Sequence, residues 1–107
     1  MAQTKDKKLI HELIKRYVGE LRQRKINIDA AYLFGSCVKG SAHEWSDIDV
    51  ALLTDTFAGD SIDFTFQLMR VARDIDAAIE PHPYLTSEFT QDNPFAREVL
   101  KTGERVV

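Results

Sequence analysis

The chain has 107 residues, of which 44% are hydrophobic and 29% charged, with a formal net charge of -3. That length bounds a single domain over residues 1–107 with one core, and the hydrophobic and charged fractions are ordinary for a globular protein. The acidic balance argues against a general nucleic-acid binder, no apolar run approaches a membrane span, and one cysteine excludes an internal disulfide.

From about Lys5 to Arg24, Leu9, Ile10, Leu13, Ile14, Tyr17, Val18 and Leu21 recur at helical spacing, which predicts an amphipathic helix. Most of the basic residues of this quarter, among them Lys8, Lys15, Arg16 and Arg22, fit its solvated face, so they do not define a binding patch. The polar opening residues Met1 to Lys8 carry no signal-peptide pattern, and with the lone Cys37 this favours the cytoplasm. Lys25 to Asp29 reads as a turn into a strand, Ala30–Phe34, that ends at Gly35. Ser36 to about Lys39 then predicts the start of a short helix, and Trp45-Ser46 leads into a second strand, Asp47 to Leu53.

Thr54 to Asp60 reads as a loop, and Asp60 or Ser61 can cap a long helix with apolar positions at Ile62, Phe66, Met69 and Val71. Ile75 to Glu80 predicts a third strand stopped by Pro81 and Pro83. Thr86 or Ser87 opens a last helical region that Pro94 restarts and Gly103 ends, with Val99 and Leu100 inward; Arg105 to Val107 can add a short edge strand. The order implies an α/β (α+β) fold, a small mixed sheet with helices packed mainly on one face. Phe34, Phe64, Phe66, Phe89 and Phe95 are most simply core.

The chemistry concentrates in residues 35–49. Gly35-Ser36 is a turn at which backbone can approach an anion, with the Ser36 hydroxyl as a donor, although such a pair is also an ordinary turn. Asp47 and Asp49 alternate along a strand, so their side chains share a face and can hold a hard cation such as Mg2+; alone, they also fit a solvated strand end. A third carboxylate strengthens the metal reading. Asp76, Ala78 and Glu80 share a face of the predicted third strand. Glu80, placed at that strand's end, is preferred over Asp76, which lies nearer the helix exit and fits a cap.

Lys39 can supplement the phosphate contacts or lie in solvent. Trp45 can stack on a base or pack. His11, His43 and His82 form no metal-ligand spacing, and His82 reads as a turn residue between prolines or as part of a site rim. Cys37 has no histidine partner that would make it a nucleophile.

Gly35-Ser36, ten intervening residues, then Asp47-Ile48-Asp49 resembles the signature of the DNA polymerase beta-like nucleotidyltransferases. The short length is similar to their minimal members, often encoded beside a HEPN-domain protein. The resemblance spans roughly Leu9 to Val107 and is specific over residues 35–49. It implies transfer of a nucleoside monophosphate, AMP from ATP, to a hydroxyl, with two Mg2+ ions. In that family's terms Gly35 and Ser36 hold the triphosphate, while Asp47, Asp49 and Glu80 are the catalytic and metal-binding acids. Glu80 departs from the aspartate most common at the third position. Larger relatives complete the cleft with an added helical domain, so the resemblance implies a partner, a HEPN-type toxin whose tyrosine accepts AMP, or a second copy in a homo-oligomer. On this reading the chain is a cytoplasmic antitoxin. Two other readings stay open: a small-molecule transferase like the aminoglycoside nucleotidyltransferases, and a toxin-binding module without turnover.

Overall fold

The computed structural model describes residues 6–35, 47–56 and 61–107. The element order is α1 (Lys7–Gln23), β1 (Ala30–Phe34), β2 (Ile48–Thr54), α2 (Ser61–Ile75), β3 (Ile79–Leu85), a single 3-10 turn (Thr86–Glu88), α3 (Pro94–Thr102) and β4 (Glu104–Arg105). The sheet order is β3-β2-β1-β4. β1 runs antiparallel to β2 and β4, and β2 runs parallel to β3, so the sheet is mixed as expected.

α1 begins where the Asp6 side chain accepts from the Leu9 N–H at 2.7 Å, satisfying a donor that the first helical turn leaves open. It buries Ile10, Leu13, Ile14, Tyr17, Val18 and Leu21, the predicted stripe without Leu9, which is 42% exposed. The phenol of Tyr17 is buried and donates to the Leu68 carbonyl at 2.7 Å, tying α1 to α2. Burial pushes that phenol's pKa up, because the charged form would lose its water.

Alternation along β2 divides the molecule. Ile48, Val50 and Leu52 point into a core with α1 and α2. Ala51 and Leu53 point to the opposite face, against Phe89, Ala96 and Val99. The helices therefore cover both faces: α1 and α2 share one, as expected, and α3 with the 3-10 turn takes the other. Asn93 starts α3 by accepting from the N–H groups of Phe95 and Ala96.

The structure differs from the sequence-based expectation in two elements. The third strand does not end at Pro81; it begins at Ile79 and runs through both prolines to Leu85. β3 is an edge strand, paired with β2 alone. Pro81 and Pro83 lie two apart, so their missing N–H groups fall on the same, unpaired side and no ladder bond is lost. Asp76 accordingly sits in the turn between α2 and β3, where its carboxylate accepts from the Ala78 N–H at 2.8 Å.

The second difference is the inward face of α2. Phe64, Leu68, Val71 and Ala72 are buried, whereas Ile62 and Phe66 are 70% and 60% exposed and Met69 is also exposed. Of the predicted apolar positions only Val71 faces the core. Both faces of this helix carry large apolar residues, so periodicity alone cannot choose between them. Phe95 at 39% and Phe66 likewise depart from the expectation that Phe34, Phe64, Phe66, Phe89 and Phe95 are core.

Candidate active site

β1 ends, and β2 and β3 begin, at one edge of the sheet. The register sets Phe34 opposite Asp49 and Asp49 opposite Glu80, a transverse row across three strands. Paired residues of adjacent strands project to the same face, so Asp49 and Glu80 stand side by side. Asp47 lies just before β2, beside Glu80. His82 follows Glu80 by two on β3 and joins that face.

The contacts match this placement. His82 Nε2 lies 3.3 Å from Asp49 Oδ1 and 3.9 Å from Glu80 Oε1. The His82 ring meets Phe34 edge-on, with centroids 5.2 Å apart, and Phe34 in turn meets Phe95 at 5.4 Å. The acids therefore sit at the rim of an aromatic floor. Glu80 shares a side-chain hydrogen bond with Asp47, which holds its pKa above the ordinary carboxylate value. Partial burial and the negative charges of Asp49 and Asp47 act in the same direction, and His82 opposes them.

Gly35 closes the row. Its φ of +84° is a left-handed conformation that favours glycine. A Cβ added there would lie 2.7 Å from Asp49 Oδ2, closer than real contacts allow, so glycine is needed for both its backbone and its lack of bulk. Next to the acids, Asp47, Met69, Arg73, Ala78 and Glu80 line a groove of roughly 230 Å3 between α2 and β3.

Four of the five residues proposed from sequence are thus placed: Glu80 approaches both Asp47 and Asp49, Gly35 packs against Asp49, and the group that could hold an ion among the described residues takes Asp49, Glu80 and His82 without Asp47. Ser36 lies outside the described residues, as do Cys37, Lys39, His43 and Trp45 and the short helix expected from Ser36 to Lys39. Glu80 reaches Asp49 from the start of a strand, not from a strand's end. Asp76, the alternative third acid, is engaged in its turn. The three histidines show no metal-ligand spacing in sequence, and the prolines beside His82 suggest a turn or a site rim. The spacing of two between His82 and Glu80 was the available signal, once the strand continues through Pro81.

The donor set suits a divalent cation. Asp49, Glu80 and His82 offer ligand atoms that all lie within 4.8 Å of one another. The negative charges of Asp47 and Asp49, which help to raise the Glu80 pKa, are a repulsion that a cation would relieve.

In this α/β domain, side chains that could hold a metal ion gather where strands begin, beside a glycine turn. The family model described as "Polymerase beta, Nucleotidyltransferase" matches residues 6–107, and the chain belongs to that family. No curated protein matches the sequence significantly. Among solved structures, a candidate nucleotidyltransferase from Sulfolobus solfataricus is 21% identical at a TM-score of 0.62, over 90% of this chain and 78% of that one. A toxin–antitoxin complex with AMP-PNP is 23% identical at a TM-score of 0.65, over 91% of this chain and 72% of its counterpart. A mutant of the MntA–HpeT toxin–antitoxin pair gives 21% and 0.63, with coverage of 91% and 72%. At these identities the likeness is one of fold.

Proposed function

We propose that this chain is an antitoxin nucleotidyltransferase that moves AMP from ATP to a hydroxyl, a tyrosine on a HEPN-type toxin, with release of pyrophosphate. The observation that supports the reading is the approach of Glu80 to both Asp47 and Asp49 in a chain of this family. Similar folds in toxin–antitoxin complexes, one of them with AMP-PNP, supply the partner class.

Asp47 and Asp49 would hold Mg2+ with the triphosphate, and Glu80 would complete the site on the acceptor side. Gly35 and Ser36 would receive the triphosphate tail. Bound Mg2+ supplies charge neutralisation at the phosphates and a lowered pKa for the attacking hydroxyl. The chain's own task is to fix the carboxylates before substrate arrives: strand register sets Asp49 and Glu80 side by side, and His82 and Gly35 confine Asp49. Because such transfer needs mainly positioning and charge stabilisation, a small domain suffices. The groove beside Asp47 and Glu80, with Arg73 on its wall, gives an anionic or polypeptide substrate access to the acids. The extra methylene of Glu80 does not part it from the aspartates, which weakens the reading of a binding module without turnover.

The test combines the protein, MgATP and the product of the neighbouring gene, followed by intact mass. A gain of one or more AMP units on the partner, absent with Asp47→Asn or Asp49→Asn, is expected. No gain on the genuine partner removes the protein-modification claim. Transfer to a hydroxylated small molecule instead would favour the aminoglycoside-like alternative.

A further inference from the structure

We propose that His82 is a direct ligand in the cation site, making it a mixed nitrogen–oxygen centre that takes Mn2+ and later first-row divalent ions in preference to Mg2+. The inference rests on the metal-dependent reading above and adds to it a residue and a selectivity.

The geometry carries it. Two ligands at about 2.1 Å from a common ion are separated by ~3.0 Å if adjacent and ~4.2 Å if opposite in an octahedron. His82 Nε2 stands 3.3 Å from Asp49 Oδ1 and 3.9 Å from Glu80 Oε1, both inside that window. Little rearrangement is needed for all three atoms to close on one ion. The ring is also confined, since Phe34 packs against it and the flanking prolines restrict the backbone on either side. His82, Asp49 and Glu80 are partly exposed, with side-chain exposures of 32%, 26% and 49%, so an ion can enter from solvent.

An all-oxygen set suits Mg2+, which keeps several waters and gains little from nitrogen. An imidazole raises affinity along the first-row series that Mn2+ opens, with Mn2+ at its weak end. Three protein ligands leave positions open for phosphate or an acceptor oxygen.

Mn2+ itself is the probe, with free-ion titration followed by electron paramagnetic resonance. Pulsed spectra of the Mn2+-loaded full chain should show coupling to a 14N nucleus, replaced by the 15N pattern when only histidine is labelled. His82→Ala should abolish the coupling and weaken Mn2+ binding by about ten-fold or more, with Mg2+ affinity unchanged. His11→Gln should keep the coupling. Mn2+ bound in an Asp49-dependent manner without nitrogen coupling in the wild type overturns the proposal while leaving the nucleotidyltransferase reading intact. That measurement needs no folded His82 variant. Absence of Mn2+ binding altogether overturns the proposal as well, whereas loss of AMP transfer with nitrogen coupling retained would fault only the functional reading.

Discussion

Replacing Gly35 with alanine perturbs the proposed site without touching a ligand. The new Cβ would lie 2.7 Å from Asp49 Oδ2, so the carboxylate must retreat by about 0.7 Å to reach ordinary contact at 3.4 Å. Metal ligands tolerate only ~0.2 Å, and a displacement near 1 Å at a reacting centre can cost ~100-fold. Asp49 cannot swing away at will, because His82 stands 3.3 Å from its other oxygen. The positive φ adds a separate penalty of about 1–2 kcal/mol for an L side chain. A domain of this size loses roughly 4–8 °C of melting temperature per kcal/mol. Gly35→Asn separates the two effects, since asparagine tolerates the left-handed region yet still carries a Cβ. Calorimetry should show Gly35→Asn melting above Gly35→Ala. Metal titration and AMP transfer should show both variants losing about 100-fold in transfer rate. If folded Gly35→Ala binds Mn2+ and transfers AMP within roughly two-fold of wild type, the close fit of Gly35 to Asp49 has no functional weight.

Other expectations follow from the same geometry. Asp47→Asn and Asp49→Asn should each lower AMP transfer by at least ~100-fold while leaving the circular dichroism unchanged. The raised pKa of Glu80 makes its contribution to the stability of the metal-free fold present below the ordinary glutamate value, and lost as pH rises through the higher folded value. Carbon-13 titration of the Glu80 carboxyl should show that midpoint falling in Asp47→Leu, which removes the hydrogen bond; an unchanged midpoint would place the cause elsewhere. Phe64→Ala should cost ~3–5 kcal/mol in denaturant unfolding and Phe66→Ala under ~0.5 kcal/mol, and equal costs would contradict the inward face of α2. Tyr17→Phe should cost about 1 kcal/mol through loss of the bond to Leu68, read as a shift in the unfolding midpoint at constant slope.

Local pattern made much of this molecule legible. The 3.6-residue stripe of α1 and the Ala30–Phe34 strand are consequences of neighbours in sequence, and the structure keeps them. What sequence did not disclose depends on neighbours in space. Pro81 and Pro83 look like strand breakers until β3 is known to be an edge, where a missing N–H costs nothing. That misreading also placed Glu80 at the wrong end of its strand and hid His82. On α2, Ile62, Phe66 and Met69 form as good an apolar stripe as Phe64, Leu68 and Ala72, and only packing against Tyr17 and the sheet selects between them.

The central claim is that Asp47, Asp49 and Glu80 jointly hold a cation with the triphosphate. Crystals grown with Mn2+ and a non-hydrolysable ATP analogue, measured at the manganese edge, test it most directly. The account predicts an anomalous peak within about 2.0–2.3 Å of Asp49 and at least one of Asp47 and Glu80, with phosphate oxygens completing the shell on the Gly35 side. A peak remote from these carboxylates, or a triphosphate bound elsewhere with the acids still paired to one another, would contradict it.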